Sequence, residues 1–524
     1  MIKAFASFCQ HPFIRNVVRG LGWALFSLFT LYCLGCALFN WYGARRIKSV
    51  LALVAKEGET VDFRVVLPEP LAELENFCAI EPLKDLATDK KEGLAAEKRK
   101  SLEVFKLPQP KDGKRRPSMP SASFGQRTDL ATLNQWLRAH NWPLAPEDHS
   151  NPARDLLAAF GKQDALFRAL SQGLERTKAN WTPEWSTREL PKLLFTLSPQ
   201  HLSGVLSLNS LLALRSVASV RASESVIAHE SAQIMSRLAL ASSHDPFLIS
   251  TLITFNIEKL LCGVIWEMCD AEAGSAADFL AMEKALSEID PQRVMLAGAR
   301  SEMPLMVNAL KVFHPIESDM VRGVFGDRFP RWQLLLMRAI PRGVFEATGA
   351  FAAELELKEM ILPLRDEGLQ PALQKCVRAN AILESNGSLL TRPLSQVAKL
   401  AMPATTGVLR QAVYVKAIMD QARIACALER HRISEGGYPD SLDSLKMADG
   451  SSPPPDVVNG KPMHYRKTQN AKYALWSLGF DSEDNNGVRG ANGEKGEKGE
   501  HADPAADPAK EGYLGDWVWD FPSK

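Results

Sequence analysis

Residues 20–42 read GLGWALFSLFTLYCLGCALFNWY, a stretch without one charged side chain. As a helix rising about 1.5 Å per residue, it is long enough to cross the ~30 Å hydrocarbon layer of a bilayer. Trp23 stands near one end and Trp41 and Tyr42 at the other, where aromatic rings favour the membrane–water boundary. Leu34-Gly35-Cys36 faintly resembles a lipoprotein cleavage site. The run is long, however, and leads into Arg45-Arg46 with no good small-residue site, so an uncleaved anchor is expected. Lys3, Arg15 and Arg19 precede it and Arg45, Arg46, Lys48 and Lys56 follow, a near balance that by charge alone slightly favours the body inside, so a periplasmic body rests on other arguments.

A chain of 524 residues holds more than one folding unit. Its 62 Lys and Arg against 61 Asp and Glu argue against a dedicated nucleic-acid binder, and no nucleic-acid partner is expected. The cysteines form no spaced framework. Cys33-x-x-Cys36 lies inside the apolar run and reads as packed thiols, and Cys262 and Cys269 share one helical face.

The expected fold class is mainly α: a transmembrane helix, a multi-helical body, and a small C-terminal α+β module with a short antiparallel sheet. Residues 1–19 form a cytoplasmic segment, 20–42 the span and 43–83 an extended, docked segment with prolines at 68, 70 and 82. Residues 84–125 lose hydrophobic periodicity. Ten Lys/Arg against four Asp/Glu between Lys90 and Arg116 mark a solvated, flexible basic linker. Residues 126–404 read as helix after helix. Leu156, Phe160, Phe167, Leu170 and Leu174 share a face, and Thr182-Pro183, Ser198-Pro199, Asp245-Pro246 and Asp290-Pro291 read as capped starts. Ser275 and Asp278 form a capping box. The run from Pro246 to Cys269 is apolar enough for a second span, but Glu258 and Lys259 at its centre favour a buried helix.

Catalytic signatures are absent from the sequence pattern. His229-Glu230 lacks the second histidine of a zinc helix, since Gln233 stands in its place. Residues 405–524 are more specific. A helix ends at Gly436-Gly437, Asp440 caps a short helix carrying Leu442 and Leu445, and three strands follow around residues 463–466, 473–478 and 517–519. Residues 488–512 form a flexible loop of Gly-x-y triplets between the last two strands. Before that loop, residues 479–487 alternate carboxylates and amides. Such a loop suits calcium, and it equally suits a solvated acidic turn.

The order Gly436-Gly437-Tyr438-Pro439, Asn459-Gly460-Lys461-Pro462, Leu475-Trp476-Ser477-Leu478-Gly479 and Gly515-Asp516-Trp517 resembles the globular part of type II secretion major pseudopilins. The resemblance covers about residues 408–521. It implies a calcium site, with Asp481, Asp484 and Asp516 as matching positions, and a module outside the inner membrane. The processed N-terminal helix of that family has no counterpart here, so pilus assembly is not implied. The whole chain resembles a group of single-pass envelope proteins of planctomycete and verrucomicrobial bacteria, a resemblance that implies no activity. The expectation is a membrane-anchored scaffold or binding protein with a periplasmic body. Its expected partners are the membrane and envelope or secretion-machinery proteins. A tethered hydrolase with its site in the helical body is the alternative.

Overall fold

The helix that carries the apolar run does not stop at Tyr42. In the computed structural model, α1 spans Pro12–Lys56. Residues 43–56, GARRIKSVLALVAK, hold no proline and favour helix, and Gly58 ends the run at a φ of 77°. The extended segment expected from residue 43 therefore starts only after Gly58. The structure describes residues 12–81, 83–87, 107–108, 117, 124–143, 151–181, 201–312, 339–385, 392–492 and 513–522. Most of the expected basic linker, the helix starts at Thr182-Pro183 and Ser198-Pro199, and most of the 488–512 loop lie outside the described residues.

The chain is mainly helical. After α1 come α2 (Leu130–Ala139), α3 (Pro152–Gly161), α4 (Asp164–Gly173), α5 (His201–Arg221), α6 (Ser225–Ser243) and α7 (Leu248–Asp270). Then follow α8 (Ala276–Ser287), α9 (Pro291–Val312), α10 (Arg342–Glu356), α11 (Leu369–Ser385) and α12 (Arg392–Glu435). Among the described residues, five short strands complete it: β1 (His464–Lys467), β2 (Tyr473–Ser477), β3 (Ala491–Asn492), β4 (Tyr513–Leu514) and β5 (Trp517–Trp519).

Contacts divide the chain into two units. The first comprises residues 1–62, 303–358 and 380–401. In it α10 packs along the second half of α1. The helices cross so closely at Gly43 and Gly343 that a Cβ on either would overlap the other's backbone. Glycine is required there to bring two backbones together, as at small-residue crossings in membranes. Asn40 Oδ1 accepts the Gly343 N–H at 2.8 Å, Tyr32 Oη donates to the Ala339 carbonyl at 2.6 Å, and Arg46 pairs with Glu354. Val50 and Val54 continue the buried seam of α1. Its first half is different. In the most apolar 18-residue window of α1, nothing is covered by protein.

The second unit comprises residues 63–302, 359–379 and 402–524. Helices α5, α6 and α7 pack on one another, with α3 on α5 and α8 on α6. Two of these, α5 and α7, are also long and apolar enough to span a membrane, but 72% of each one's most apolar window is buried in the protein. A helix apolar on all sides belongs in a core, and α7 is the buried helix expected from its sequence. Glu258 at its centre is fully buried, its carboxyl has no hydrogen-bond partner among the described residues, and burial pushes it up to about 8. A carboxyl so placed is neutral at pH 7.

Ahead of the linker, residues 76 and 77 are tied to residues 178 and 180. Asn76 Nδ2 donates to the Asn180 carbonyl and Asn180 N–H to Asn76 Oδ1, each at 2.9 Å, while Phe77 N–H reaches the Lys178 carbonyl at 2.8 Å. Phe77 is fully buried. Helix α8 has the full capping box of Ser275 and Asp278, and Asp290 Oδ1 accepts Gln292 N–H at the start of α9. Asp245 does not cap α7. That helix starts at Leu248, after an extended Phe247, because the Asp245 carboxylate turns inward.

Candidate functional site

The C-terminal module carries the acidic loop in which a metal site is expected. Its sheet is antiparallel in the order β1-β2-β5, with Leu475 opposite Trp519 and Trp476 opposite Val518. Gly436 takes a φ of 79° and closes α12. The short 3-10 turn at Leu442–Ser444 is capped by Ser441, whose Oγ accepts Asp443 N–H at 3.1 Å. Asp440, expected in that role, instead pairs with Lys467.

The module is clasped by the helices of the same unit. Trp266 Nε1 donates to the Asp520 carbonyl at 2.8 Å and its ring stacks on Phe521 at 5.9 Å. Gln421 Nε2 donates to the Trp517 carbonyl at 2.6 Å, and Phe124 lies 4.4 Å from Trp519 between ring centroids. Buried Glu283 on α8 receives Arg430 Nη2 at 2.6 Å and the Ala448 N–H. Buried Glu429 accepts Tyr438 Oη at 2.6 Å and Arg432 Nε at 2.8 Å. Burial raises the Glu429 carboxyl; burial and that carboxylate together raise the Tyr438 phenol.

The structure brings Asp481, Asp484 and Asp516 into one loop system. Asp481 Oδ1 accepts Glu483 N–H at 3.2 Å and Oδ2 accepts Gly515 N–H at 2.9 Å. Asp484 Oδ1 accepts Asn486 N–H at 2.8 Å and Trp476 Nε1 at 3.1 Å, and Oδ2 stands 3.4 Å from His464 Nδ1. Asp516 accepts Gly487 N–H at 2.7 Å and Asn485 N–H at 3.3 Å. These are hard oxygens of the kind calcium takes. Each already faces an N–H donor, with which an ion would compete. Among the described residues, no group of three or more His, Cys, Asp or Glu side chains is set to hold a metal ion.

Charge differs sharply between two of these acids. Burial pulls the Asp484 carboxyl upward, but the Trp476 and Asn486 donors and the charges of His464 and Arg466 outweigh it and hold it low. Burial, aided by the charges of Asp484 and Asp481, pushes Asp516 from 3.8 up to about 6 against its two N–H donors. The folded loop thus holds that proton more tightly than the unfolded chain. Asp516's contribution to stability is full below about pH 4 and is lost as pH rises through about 6. Asp484 acts in the opposite sense, so the two must be separated by substitution. The expected result is a wild-type thermal midpoint that falls between pH 4 and 6 relative to that of Asp516→Asn; parallel pH profiles would refute the assignment.

Two polar clusters elsewhere in this unit were not readable from spacing. His201 Nε2 lies 2.8 Å from Asp245 Oδ2, which also accepts Ser250 Oγ at 3.3 Å, and the imidazole stacks on Trp181 at 4.9 Å. Burial, then the Asp245 charge, raises the nearby Cys78 thiol. A nucleophile needs a base on its own proton. Here Ser250 donates to the acid rather than to the histidine, and Cys78 is held as a thiol, an arrangement that staples three segments together. The 44-residue separation of His201 and Asp245 leaves no local signal. His229 serves packing too, with Nε2 3.0 Å from the Ala273 carbonyl.

The second cluster lines a cleft of about 340 Å³ between the α8–α9 turn and α12. Asp420 on its floor is buried and accepts Lys416 Nζ at 2.5 Å and Arg423 Nη1 at 3.3 Å. Burial raises its carboxyl in spite of both cations. Glu288, Asp290 and Arg293 stand on the opposite wall. The cleft can hold a small polar solute, but its strongest charges answer one another within α12. No family model, curated protein or solved structure matches the chain.

Proposed function

We propose that this chain is a membrane-anchored envelope protein that works by binding rather than by turnover. The observation that carries the reading is the contrast within α1: an apolar first half that no protein covers, and a second half clamped to α10. An uncovered apolar helix of this length is accounted for by lipid. On this reading α1 anchors the chain in the inner membrane and the body is periplasmic. The helical body serves as scaffold, and the C-terminal, pseudopilin-like module docks envelope or secretion-machinery proteins. The internally closed clusters at His201–Asp245, Glu283–Arg430 and Glu429–Tyr438 suit such a framework. Calcium is proposed for the acidic loop on the donor chemistry of Asp481, Asp484 and Asp516.

The test is fractionation and protease accessibility of the full chain in cells. Retention in the membrane after an alkaline wash, with the body cleaved only once the outer membrane is opened, supports the reading. A body protected until the inner membrane is broken would reverse the orientation, and release by the wash would remove the anchor. Calcium titration of the purified chain is an independent arm. A midpoint that rises with calcium and no longer does so in Asp481→Ala supports the ion, and an unchanged midpoint removes it.

One observation favours a second reading as a tethered enzyme: the cleft whose buried Asp420 sits between Lys416 and Arg423. Buried acids with charged partners in clefts are where catalytic groups occur. Turnover by the purified chain that is abolished in Asp420→Asn would establish that reading.

A further inference from the structure

We propose that the face of α1 turned away from α10, the stripe Trp41, Arg45 and Lys48, seats the headgroups of anionic phospholipids. The proposal rests on the reading of α1 as a membrane anchor and adds a lipid preference to it.

Helical spacing separates two faces beyond the apolar run. Gly43, Val50 and Val54 are buried, and Arg46 on their side is taken by Glu354 of α10. Trp41, Arg45, Lys48 and Ala52 fall at i, i+4, i+7 and i+11 on the opposite side, and all four are exposed. The stripe continues the lipid-exposed Leu34 and Leu38 without interruption. The Arg45 guanidinium lies over the Trp41 ring, 5.5 Å from its centroid. This cation–π contact holds the charge beside the ring that marks the boundary.

Among the described residues, the charge is uncompensated where it stands. Helix α1 contains no Asp or Glu, so neither cation has a counter-ion on its own helix. Among the described residues neither Arg45 nor Lys48 forms an ion pair. A phosphate is the complementary group, and depth selects which cations reach it. At about 1.5 Å per residue, Arg45 lies about 6 Å and Lys48 about 10 Å beyond Trp41 along the axis, and Lys56 about 22 Å. The headgroup layer is roughly 5–8 Å deep on each side of the hydrocarbon. Arg45 falls within it, Lys48 reaches back along its flexible stem, and Lys56 stands clear.

The full chain is reconstituted into vesicles of phosphatidylcholine alone and of phosphatidylcholine mixed with phosphatidylglycerol. Flotation after an alkaline wash reads the anchor, and native mass spectrometry of the lipid retained on transfer to detergent reads the seat. Wild type and Lys56→Ala are expected to retain phosphatidylglycerol in preference to phosphatidylcholine. The double variant Arg45→Ala/Lys48→Ala is expected to float as well as wild type and to lose about tenfold of that preference. Equal retention of phosphatidylglycerol by the double variant overturns the seat and leaves the anchor standing, as does a wild type without preference. Failure of the wild type to float overturns both.

Discussion

Gly43→Ala is expected to undock α10 from α1, although it adds a single methyl group to a residue already in a helix. Elsewhere Ala in place of a helical Gly stabilises by up to about 1 kcal/mol, because the unfolded chain loses freedom. At position 43 the new Cβ meets the backbone carbonyl of Gly343, which cannot swing aside as a flexible side chain would. The helices must separate. The Asn40–Gly343 hydrogen bond and the Arg46–Glu354 pair follow the same crossing and weaken with it. Overpacking of this kind costs about 3 kcal/mol. Hydrogen exchange of the α10 amides in the detergent-solubilised chain should accelerate by about a hundredfold, since each 1.4 kcal/mol is a factor of ten. Gly35→Ala is the control: it lies on the same helix with nothing within 4 Å of the added carbon, and exchange there should be unchanged or slower. Slow α10 exchange in Gly43→Ala would show that the crossing does not hold the pair.

That crossing also shows where reading the sequence stops. Gly43 and Gly343 are 300 positions apart, and each alone looks like an indifferent helical glycine. The features that were legible act within a few residues: the uncharged run of α1, the capping box of Ser275 and Asp278, the Asp290-Pro291 start, and the strands with their bounding glycines. Each expresses a local rule of capping, periodicity or backbone freedom. Asp245 and Asp440 were misread for a related reason. A carboxylate before a helix is a good cap only when nothing stronger competes for it. The His201 ring and the Lys467 ammonium compete successfully, and both come from other segments.

Glu258 makes a subtler point. Its charge argues for keeping α7 out of lipid, yet among the described residues the core around it supplies no hydrogen-bond partner either. The cost of an ionised group is avoided in the core by protonation, a route that lipid also offers. What sets α7 apart from α1 is the packing of neighbouring helices against it, and its composition does not reveal those neighbours. Of the candidate loop, Asp481 and Asp484 stand out by type and spacing, whereas Asp516 is picked out only by the resemblance to pseudopilins. Their N–H partners, from Gly487, Gly515 and Trp476, depend on how the strands close and were not legible.

Glu283→Ala is expected to be the most damaging substitution in the C-terminal clasp. The carboxylate is 1% exposed and receives both Arg430 and the Ala448 N–H, joining α8 to the end of α12 and to the loop beyond it. Among the described residues, removing it leaves a largely buried guanidinium with only the Lys446 carbonyl, together with an orphaned amide. Breaking one side of a buried pair costs about 3–5 kcal/mol, most of it the penalty on the group left behind. The origin of the loss can therefore be tested by removing that group too. Glu283→Leu combined with Arg430→Met should recover most of the stability, because two apolar side chains leave no unpaired charge. The exposed pair Asp440–Lys467 is the counterpart at the surface, and Asp440→Ala should leave the denaturation midpoint where it was. Chemical denaturation followed by tryptophan fluorescence reads all three, since Trp476, Trp517 and Trp519 lie in the clasped sheet. If Glu283→Ala were as mild as Asp440→Ala, the clasp would rest on the aromatic contacts of Trp266, Phe521 and Trp519, and Trp266→Ala would then be the substitution that opens it.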